Sequence, residues 1–203
     1  MIVSQFGVES WMDQYEEGAK YNITDTCAKP LSLAELFSLA GEDRTDFMDR
    51  FFEREQTYGT IFGSEKVKKE ISRLYTSIRP EEILTEHGAT GGNQHIFFSL
   101  IRPGDRVIAF SPSYQQFYSA PEALGAEVTV LRLRRENGYL PDLDELSKAA
   151  ARGVRMICLN NPNNPTGTLI PSDMMKDIVT IARQSGAYLF CDEVYSGVSI
   201  DGA

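Results

Sequence analysis

From Ile83 to Cys191 the chain alternates short apolar runs with amphipathic segments, and this alternation is the strongest constraint on its fold. The apolar runs cover residues 83–85, 107–110, 128–133, 154–159 and 188–191, and helical patterns lie between them. Near-continuous apolar strands that alternate with helices are typical of a parallel sheet with helices on both faces. We therefore predict an α/β fold with a mostly parallel sheet, present here in truncated form.

The residues before this alternation show only helical spacing. Apolar residues recur at helical intervals over residues 8–15, and Ser32 with Glu35 forms a capping box before a short helix that Gly41 ends. Another helix is predicted to begin at Ser64. We predict an N-terminal helical arm over residues 1–48, part of a small domain, and an incomplete sheet-containing large domain over residues 49–203.

One residue interrupts the helical pattern that follows Ser113. Pro121 lies inside that pattern and has no backbone N–H to donate to the preceding turn. We therefore expect a break in the helix at Pro121.

Composition and charge exclude several classes of function. The net charge is -9, so polyphosphate backbones and anionic lipids are repelled, and neither a nucleic-acid partner nor a membrane partner is expected. The cysteines Cys27, Cys158 and Cys191 are odd in number and far apart, which favours a reducing compartment. The sequence shows neither the basic stretch and apolar run of a signal peptide nor an apolar window as long as a membrane helix. We therefore expect a cytoplasmic protein.

Asp192 is the first candidate functional residue, because it directly follows the apolar run that ends at Cys191. A carboxylate at the end of a buried strand needs a cationic partner, since an unpaired buried charge is costly. A protonated heterocycle nitrogen would serve, with an attraction of about 4 kcal/mol at ~4 Å and an effective dielectric constant of ~20. The alternative is a strand-end aspartate that caps the next turn.

The segment Asn161–Gly167 is the second candidate. It contains two Asn-Pro steps directly after an apolar strand, and each proline keeps the preceding residue out of the helical region. The segment therefore predicts a stiff, extended loop that holds a side-chain amide above the edge of the sheet. Taken alone, it could equally be a turn.

Together these segments resemble the Asn-Pro-x-Asn-Pro-Thr-Gly and Asp-x-x-Tyr motifs of the class I and II aminotransferases. These are fold-type-I enzymes that use pyridoxal 5'-phosphate to transfer an amino group between an amino acid and a 2-oxo acid. The resemblance implies the large domain of that fold. It also implies that Asn164 and Tyr195 hydrogen-bond the phenolic oxygen of the cofactor and that Asp192 pairs with its ring nitrogen.

The glycine-rich segment His87–Gly92 precedes a predicted helix and offers backbone N–H groups for an anion. The resemblance places the cofactor phosphate there, at Ala89 and Thr90. The alternative is a dinucleotide-binding turn. Against it, Gln94 stands where a third glycine belongs, and no acidic residue follows the next strand to bind a ribose.

Two tyrosines complete the set that the resemblance implies. Tyr114, in the loop after the run 107–110, is the candidate to stack on the pyridine ring, and the alternative is a core tyrosine. Tyr58, in a Tyr-Gly turn, resembles the residue that reaches the phosphate of a neighbouring subunit. A homodimer with shared active sites would follow. In the sequence, neither His87 nor His95 belongs to a recognisable acid-base motif, and the cysteines form no metal-ligand pattern.

The resemblance also implies a catalytic lysine, which forms a Schiff base with the cofactor and lies beyond the Asp-x-x-Tyr strand. No lysine follows Lys176, so we predict no catalytic residue in this chain and little or no activity on its own. Two alternatives stay open. One is a fragment of another fold-type-I enzyme, such as a carbon-sulfur lyase, racemase, cyclase or decarboxylase. The other is a short non-enzymatic relative that binds a partner through the sheet edge.

Overall fold

The computed structural model describes residues 2–24 and 26–198, which form two compact units. The first unit comprises residues up to Ile23 together with those from His87 onwards, and the second comprises Thr24–Glu86. These divisions differ from the boundary at residues 48 and 49 that the sequence suggested. The predicted domain boundary stays a prediction, because the two units are defined by how closely their residues pack and do not test where the domains divide.

A four-stranded parallel sheet forms the centre of the first unit. Its strands are β1 (Arg106–Ser111), β2 (Glu127–Arg132), β3 (Met156–Asn160) and β4 (Tyr188–Asp192), in the order β2-β1-β3-β4. Ser111 pairs with Arg132, and Asn160 pairs with Asp192. The carboxyl ends of the strands therefore lie along one edge of the sheet.

Helices account for most of the remaining regular structure. The helices are α1 (Gly7–Tyr15), α2 (Leu33–Ala40), α3 (Arg44–Phe52), α4 (Glu65–Ser72), α5 (Gly88–Leu100), α6 (Gln116–Ala123), α7 (Leu143–Ala150) and α8 (Ser172–Ser185). The capping box is confirmed: Glu35 N donates to Ser32 Oγ at 3.2 Å, and Ser32 N donates to Glu35 Oε2 at 2.8 Å. Gly41 ends α2 in the left-handed conformation, with φ of 64°.

Apolar clusters cover both faces of the sheet. Ile108 of β1 packs with residues of α7 and α8 on one face, while its neighbour Val107 packs with residues of α5 and α6 on the other. Successive strand residues point to opposite faces, so both sets of β1 side chains are buried. All five residues of β3 are buried as well. The predicted parallel sheet with two covered faces is confirmed.

Two local predictions were wrong. Residues 83–85 form no strand, because a strand needs a hydrogen-bonded neighbour and no ladder among the described residues includes them. Pro121 does not break its helix, since α6 continues through it. In a helix of this length a proline removes a single bond, to the carbonyl of Phe117, and the ring of Pro121 is fully buried.

Within residues 2–24 and 26–198, no helix is both long and apolar enough to cross a bilayer. The same residues hold no cluster of three or more metal-binding side chains.

Candidate active site

The site lies where the loops after β1, β3 and β4 meet the beginning of α5. β3 is hydrogen-bonded to both β1 and β4, so the segments that follow these strands are neighbours. In open parallel sheets, ligands bind beyond the carboxyl ends of the strands. The segments containing Tyr114, Asn164 and Asp192 all begin at this edge.

Asp192 is held by neutral donors. Its side chain is buried, with 7% of the residue surface exposed. Oδ2 accepts a hydrogen bond from Asn93 Nδ2 at 2.7 Å, and Oδ1 accepts one from the backbone N of Val194 at 3.0 Å. Among the ion pairs of the described residues, none involves Asp192. The carboxylate is therefore buried without a cation from these residues.

The bond to Val194 is the turn cap that was the alternative interpretation of Asp192. It uses only one carboxylate oxygen, because the other is bonded to α5, the helix that begins at the glycine-rich segment. The backbone carbonyl of Asp192 also accepts from Asn160 Nδ2 at 3.0 Å. Asp192 is thus joined to the glycine-rich helix and to β3 as well as to its own turn.

Asn164 and Tyr195 contact each other, whereas their bonds to the cofactor stay a prediction. Asn164 Nδ2 donates to the hydroxyl of Tyr195 at 3.2 Å. The backbone N of Asn164 donates to Asn160 Oδ1 at 2.6 Å, so one buried side chain fixes both this loop and the end of β4. A side-chain amide from the loop after β3 and a phenol from the segment after β4 therefore converge at this edge of the sheet.

The beginning of α5 presents backbone donors that no side chain of the described residues caps. The helix begins at Gly88, His87 provides no side-chain cap, and Gly88, Ala89 and Thr90 are exposed. The first N–H groups of a helix have no partner within it and carry a partial positive charge, so they favour an anion. Thr90 Oγ1 lies 3.5 Å from the hydroxyl of Tyr114. This contact brings the glycine-rich segment and the predicted stacking tyrosine together.

Tyr114 packs against two other rings. Its ring centroid lies 5.8 Å from that of Phe6 and 5.8 Å from that of Phe117, both in edge-to-face geometry. Tyr114 is therefore held between the N-terminal segment and α6, and it is only partly buried. The core-tyrosine alternative is half right, because one edge of the ring joins the core while the hydroxyl reaches the site.

The aminotransferase class I and II family model matches residues 48–203. The chain belongs to this family. A solved PLP-dependent aminotransferase from Streptococcus suis 89-1591 is 44% identical, with a TM-score of 0.94 over 98% of this chain and 54% of that chain. The LL-diaminopimelate aminotransferase of Syntrophobacter fumaroxidans is 33% identical over 121 residues, or 60% of this chain and 31% of that protein.

The aspartate aminotransferase of Pyrococcus horikoshii is 35% identical over 118 residues, or 58% of this chain and 30% of that protein. The chain therefore matches about a third of the length of these curated relatives. The family and its solved members imply pyridoxal 5'-phosphate as the cofactor. The donor set fits that group: Asp192 lacks a cation among the described residues, and the amides at the start of α5 suit a dianion.

Tyr58 lies in the second compact unit and is completely exposed. Its predicted contact with a phosphate in a neighbouring subunit stays a prediction. Burial raises the pKa of the Cys158 thiol far above its usual value, so this cysteine behaves as a core residue.

Four buried amides at the site were not predicted from the sequence: Asn160, described above, and Asn93, Gln116 and Asn163. Asn93 bonds to Asp192, and Gln116 bonds to Asn93. Asn163 accepts from Ser113 Oγ at 2.9 Å and donates to the carbonyl of Pro112 at 3.1 Å, so it joins the loop after β3 to the loop after β1. One signal was available: Asn93 lies one helical turn before Phe97, on the apolar face of α5, where an amide needs a partner.

Proposed function

We propose that this chain binds pyridoxal 5'-phosphate at the carboxyl edge of its sheet and forms the cofactor-binding part of an aminotransferase. The reaction is the transfer of an amino group between an amino acid and a 2-oxo acid. One observation carries the proposal: Asp192 is buried among neutral donors and forms no ion pair with the described residues. A buried carboxylate without a cation is costly, and a protonated pyridine ring removes that cost.

The ring nitrogen of the cofactor would lie against Asp192. At about 4 Å and an effective dielectric constant of about 20, the attraction is of order 4 kcal/mol, which favours the protonated ring. When bound, a protonated pyridoxal ring supplies an electron sink for the α-carbon of the amino acid. Asp192, buried at the end of β4, would hold the proton on that nitrogen.

The remaining contacts follow from the same placement. The free N–H groups at the start of α5, from Ala89 and Thr90, suit the phosphate together with the hydroxyl of Thr90. Tyr114 would stack on the ring. Asn164 Nδ2 and the hydroxyl of Tyr195 already converge within 3.2 Å of each other, so both can donate to the phenolic oxygen.

The substrate pair is proposed only by chemical class. The relatives named above are an LL-diaminopimelate aminotransferase and aspartate aminotransferases. All of these names describe transfer from an amino acid, so an amino acid and a 2-oxo acid are the substrates that we propose. We also propose a homodimer in which Tyr58, fully exposed in this chain, contacts the phosphate bound by the other subunit.

We infer further that none of the lysines in the first compact unit attacks the cofactor. Lys148 is exposed on α7, Lys176 pairs with Asp173 at 2.8 Å on α8, and Lys20 lies over the ring of Tyr21. Incubation with pyridoxal 5'-phosphate, borohydride reduction and peptide mapping should show no lysine labelled in preference to the others. Stoichiometric labelling of Lys20, Lys148 or Lys176 would contradict this inference.

The test of cofactor binding uses 4'-deoxypyridoxine 5'-phosphate, which lacks the aldehyde and therefore binds without a lysine. The wild-type chain should bind it, and Asp192→Asn should bind it roughly tenfold to a hundredfold more weakly, because a hydrogen bond to a charged group is lost. Asp173→Asn is the matched control, since its carboxylate is 94% exposed. The proposal fails if the wild-type chain does not bind, or if Asp192→Asn binds equally well.

A further inference from the structure

We infer that Asn93 and Gln116 are positioning residues that form a buried amide relay between the two ends of the cofactor site. The inference rests on the proposed function. Asn93 Nδ2 donates to Asp192 Oδ2 at 2.7 Å and to Gln116 Oε1 at 3.1 Å. Gln116 Nε2 donates to the backbone carbonyl of Thr90 at 2.9 Å. The relay therefore runs from the proposed ring-nitrogen partner to the proposed phosphate-binding turn.

The direction of the relay is fixed by its two ends. An ionised carboxylate and a backbone carbonyl can only accept hydrogen bonds. Asn93 must therefore turn its NH₂ group towards Asp192, and its second N–H meets the oxygen of Gln116. Gln116 must then turn its NH₂ group towards Thr90. Flipping either amide would place oxygen against oxygen, so the acceptors at the two ends select one arrangement of both side chains.

Burial makes this arrangement specific. Asn93 is 6% exposed and Gln116 is 3% exposed, so neither side chain can exchange its partner freely for water. Every buried side-chain polar atom of the described residues has a hydrogen-bond partner. A buried network of this kind keeps one geometry, because breaking any bond leaves an unpaired polar group.

The first consequence concerns the proton on the ring. Asn93 donates to Asp192, and a donor stabilises the charged form of a carboxylate. With the cofactor bound, this donor would keep the proton on the ring nitrogen rather than on Asp192.

The second consequence concerns the distance between the two ends of the site. Gln116 joins Asn93, which holds the carboxylate, to the carbonyl of Thr90, so the proposed sites for the ring nitrogen and for the phosphate are held at a constant separation.

The experiment compares Asn93→Leu and Gln116→Met, which keep side-chain size but remove the hydrogen bonds, in the 203-residue chain. Ser119→Ala is the matched control, because Ser119 is 2% exposed on the same helix as Gln116 and its Oγ donates only to Gln115 O among the bonds described. The probe is 4'-deoxypyridoxine 5'-phosphate labelled with ¹⁵N in the ring. Circular dichroism checks the fold of each variant, and binding affinity and the ¹⁵N chemical shift are measured.

For Asn93→Leu we expect the ¹⁵N signal of the bound probe to move from the pyridinium position towards neutral pyridine, with affinity about tenfold lower. For Gln116→Met we expect the signal to stay at the pyridinium position while affinity falls severalfold. Ser119→Ala should match the wild type in both measurements. A relay predicts this difference between the two variants. Loss of packing alone would lower the affinity of both variants without moving the ¹⁵N signal of either.

Three outcomes would overturn the inference. The first is an Asn93→Leu chain that binds the probe with an unchanged ¹⁵N signal. The second is an equal loss of affinity in both variants without any spectral change, which indicates packing only. The third is a wild-type chain that does not bind the probe, which overturns the proposed function together with the inference. If Asn93→Leu does not fold, Asn93→Ala replaces it, since it removes the donor without adding a charge or a second acceptor beside Asp192.

Discussion

At the scale of single residues, the last two positions of β4 behave in opposite ways. Cys191 packs against the apolar cluster formed with α7 and α8, whereas Asp192 faces α5 and its amide. Successive strand residues point to opposite faces, which explains the difference. Burial, and then the nearby carboxylates of Glu193 and Asp192, raises the pKa of the Cys191 thiol to about 12.

The raised pKa gives a pH-dependent expectation for alkylation. A thiol with a pKa of about 12 stays protonated at pH 8, and its reactive thiolate fraction grows only as the pH approaches that value. Iodoacetamide at pH 8 should therefore label the exposed Cys27 first and leave Cys158 and Cys191 unlabelled until urea is added. Peptide mass spectrometry measures the order. Equal labelling of Cys191 and Cys27 in the native chain would contradict the burial of this strand end.

Motif residues could be found in the sequence, and their supporting residues could not. Asp192 and Asn164 follow apolar strands within recognisable patterns, so position along the chain indicated their part of the sheet edge. Asn93 and Gln116 are single amides with partners 99 and 26 positions away, at Asp192 and Thr90. Apart from the place of Asn93 on the apolar face of α5, nothing local distinguishes such an amide from an exposed one, because its environment exists only after the helices pack.

At the scale of elements, the loops after β1 and β3 form one unit through Asn163. This residue is 6% exposed, and its amide bonds to Ser113, to Pro112 and, at 2.8 Å, to Thr166. In the motif it occupies the variable position, for which no role was predicted from the sequence. The loop that carries Asn164 is therefore tied to the loop that carries Tyr114.

Asn163→Ala should separate the two loops. The change removes several hydrogen bonds, so we expect the free energy of unfolding to fall by about 1–3 kcal/mol. We also expect weaker binding of 4'-deoxypyridoxine 5'-phosphate, because Tyr114 and Asn164 lose their common support. Urea unfolding and titration measure the two effects. Asn137→Ala, at an exposed position of the short 3-10 helix Arg135–Asn137, is the control. Unchanged stability would show that the loops are held independently.

Element prediction succeeded where local chemistry decides. Ser32 and Glu35 cap α2 as their spacing indicates, since both bonds lie within four residues. It failed where a distant neighbour decides. Residues 83–85 have strand composition but no ladder among the described residues, and Pro121 is accepted in α6 because its ring is buried.

At the scale of the whole molecule, continuous apolar strands were sufficient to predict a parallel sheet with two covered faces. The strand order β2-β1-β3-β4 was not predicted, because it depends on how each crossover packs rather than on any residue pattern. The chain matches 54% of the Streptococcus suis structure, so the activity of a whole aminotransferase remains a proposal for it. Binding of the cofactor analogue, in contrast, can be measured directly on this chain.

The central claim is that Asp192 holds a protonated pyridine nitrogen. The most direct test is the ¹⁵N chemical shift of ring-labelled 4'-deoxypyridoxine 5'-phosphate bound to the wild-type chain, measured at a pH above the pKa of the free ring nitrogen. We expect a pyridinium signal in the wild type and a signal closer to neutral pyridine in Asp192→Asn. A neutral-pyridine signal in the wild type, or the same signal in both chains, would contradict the account.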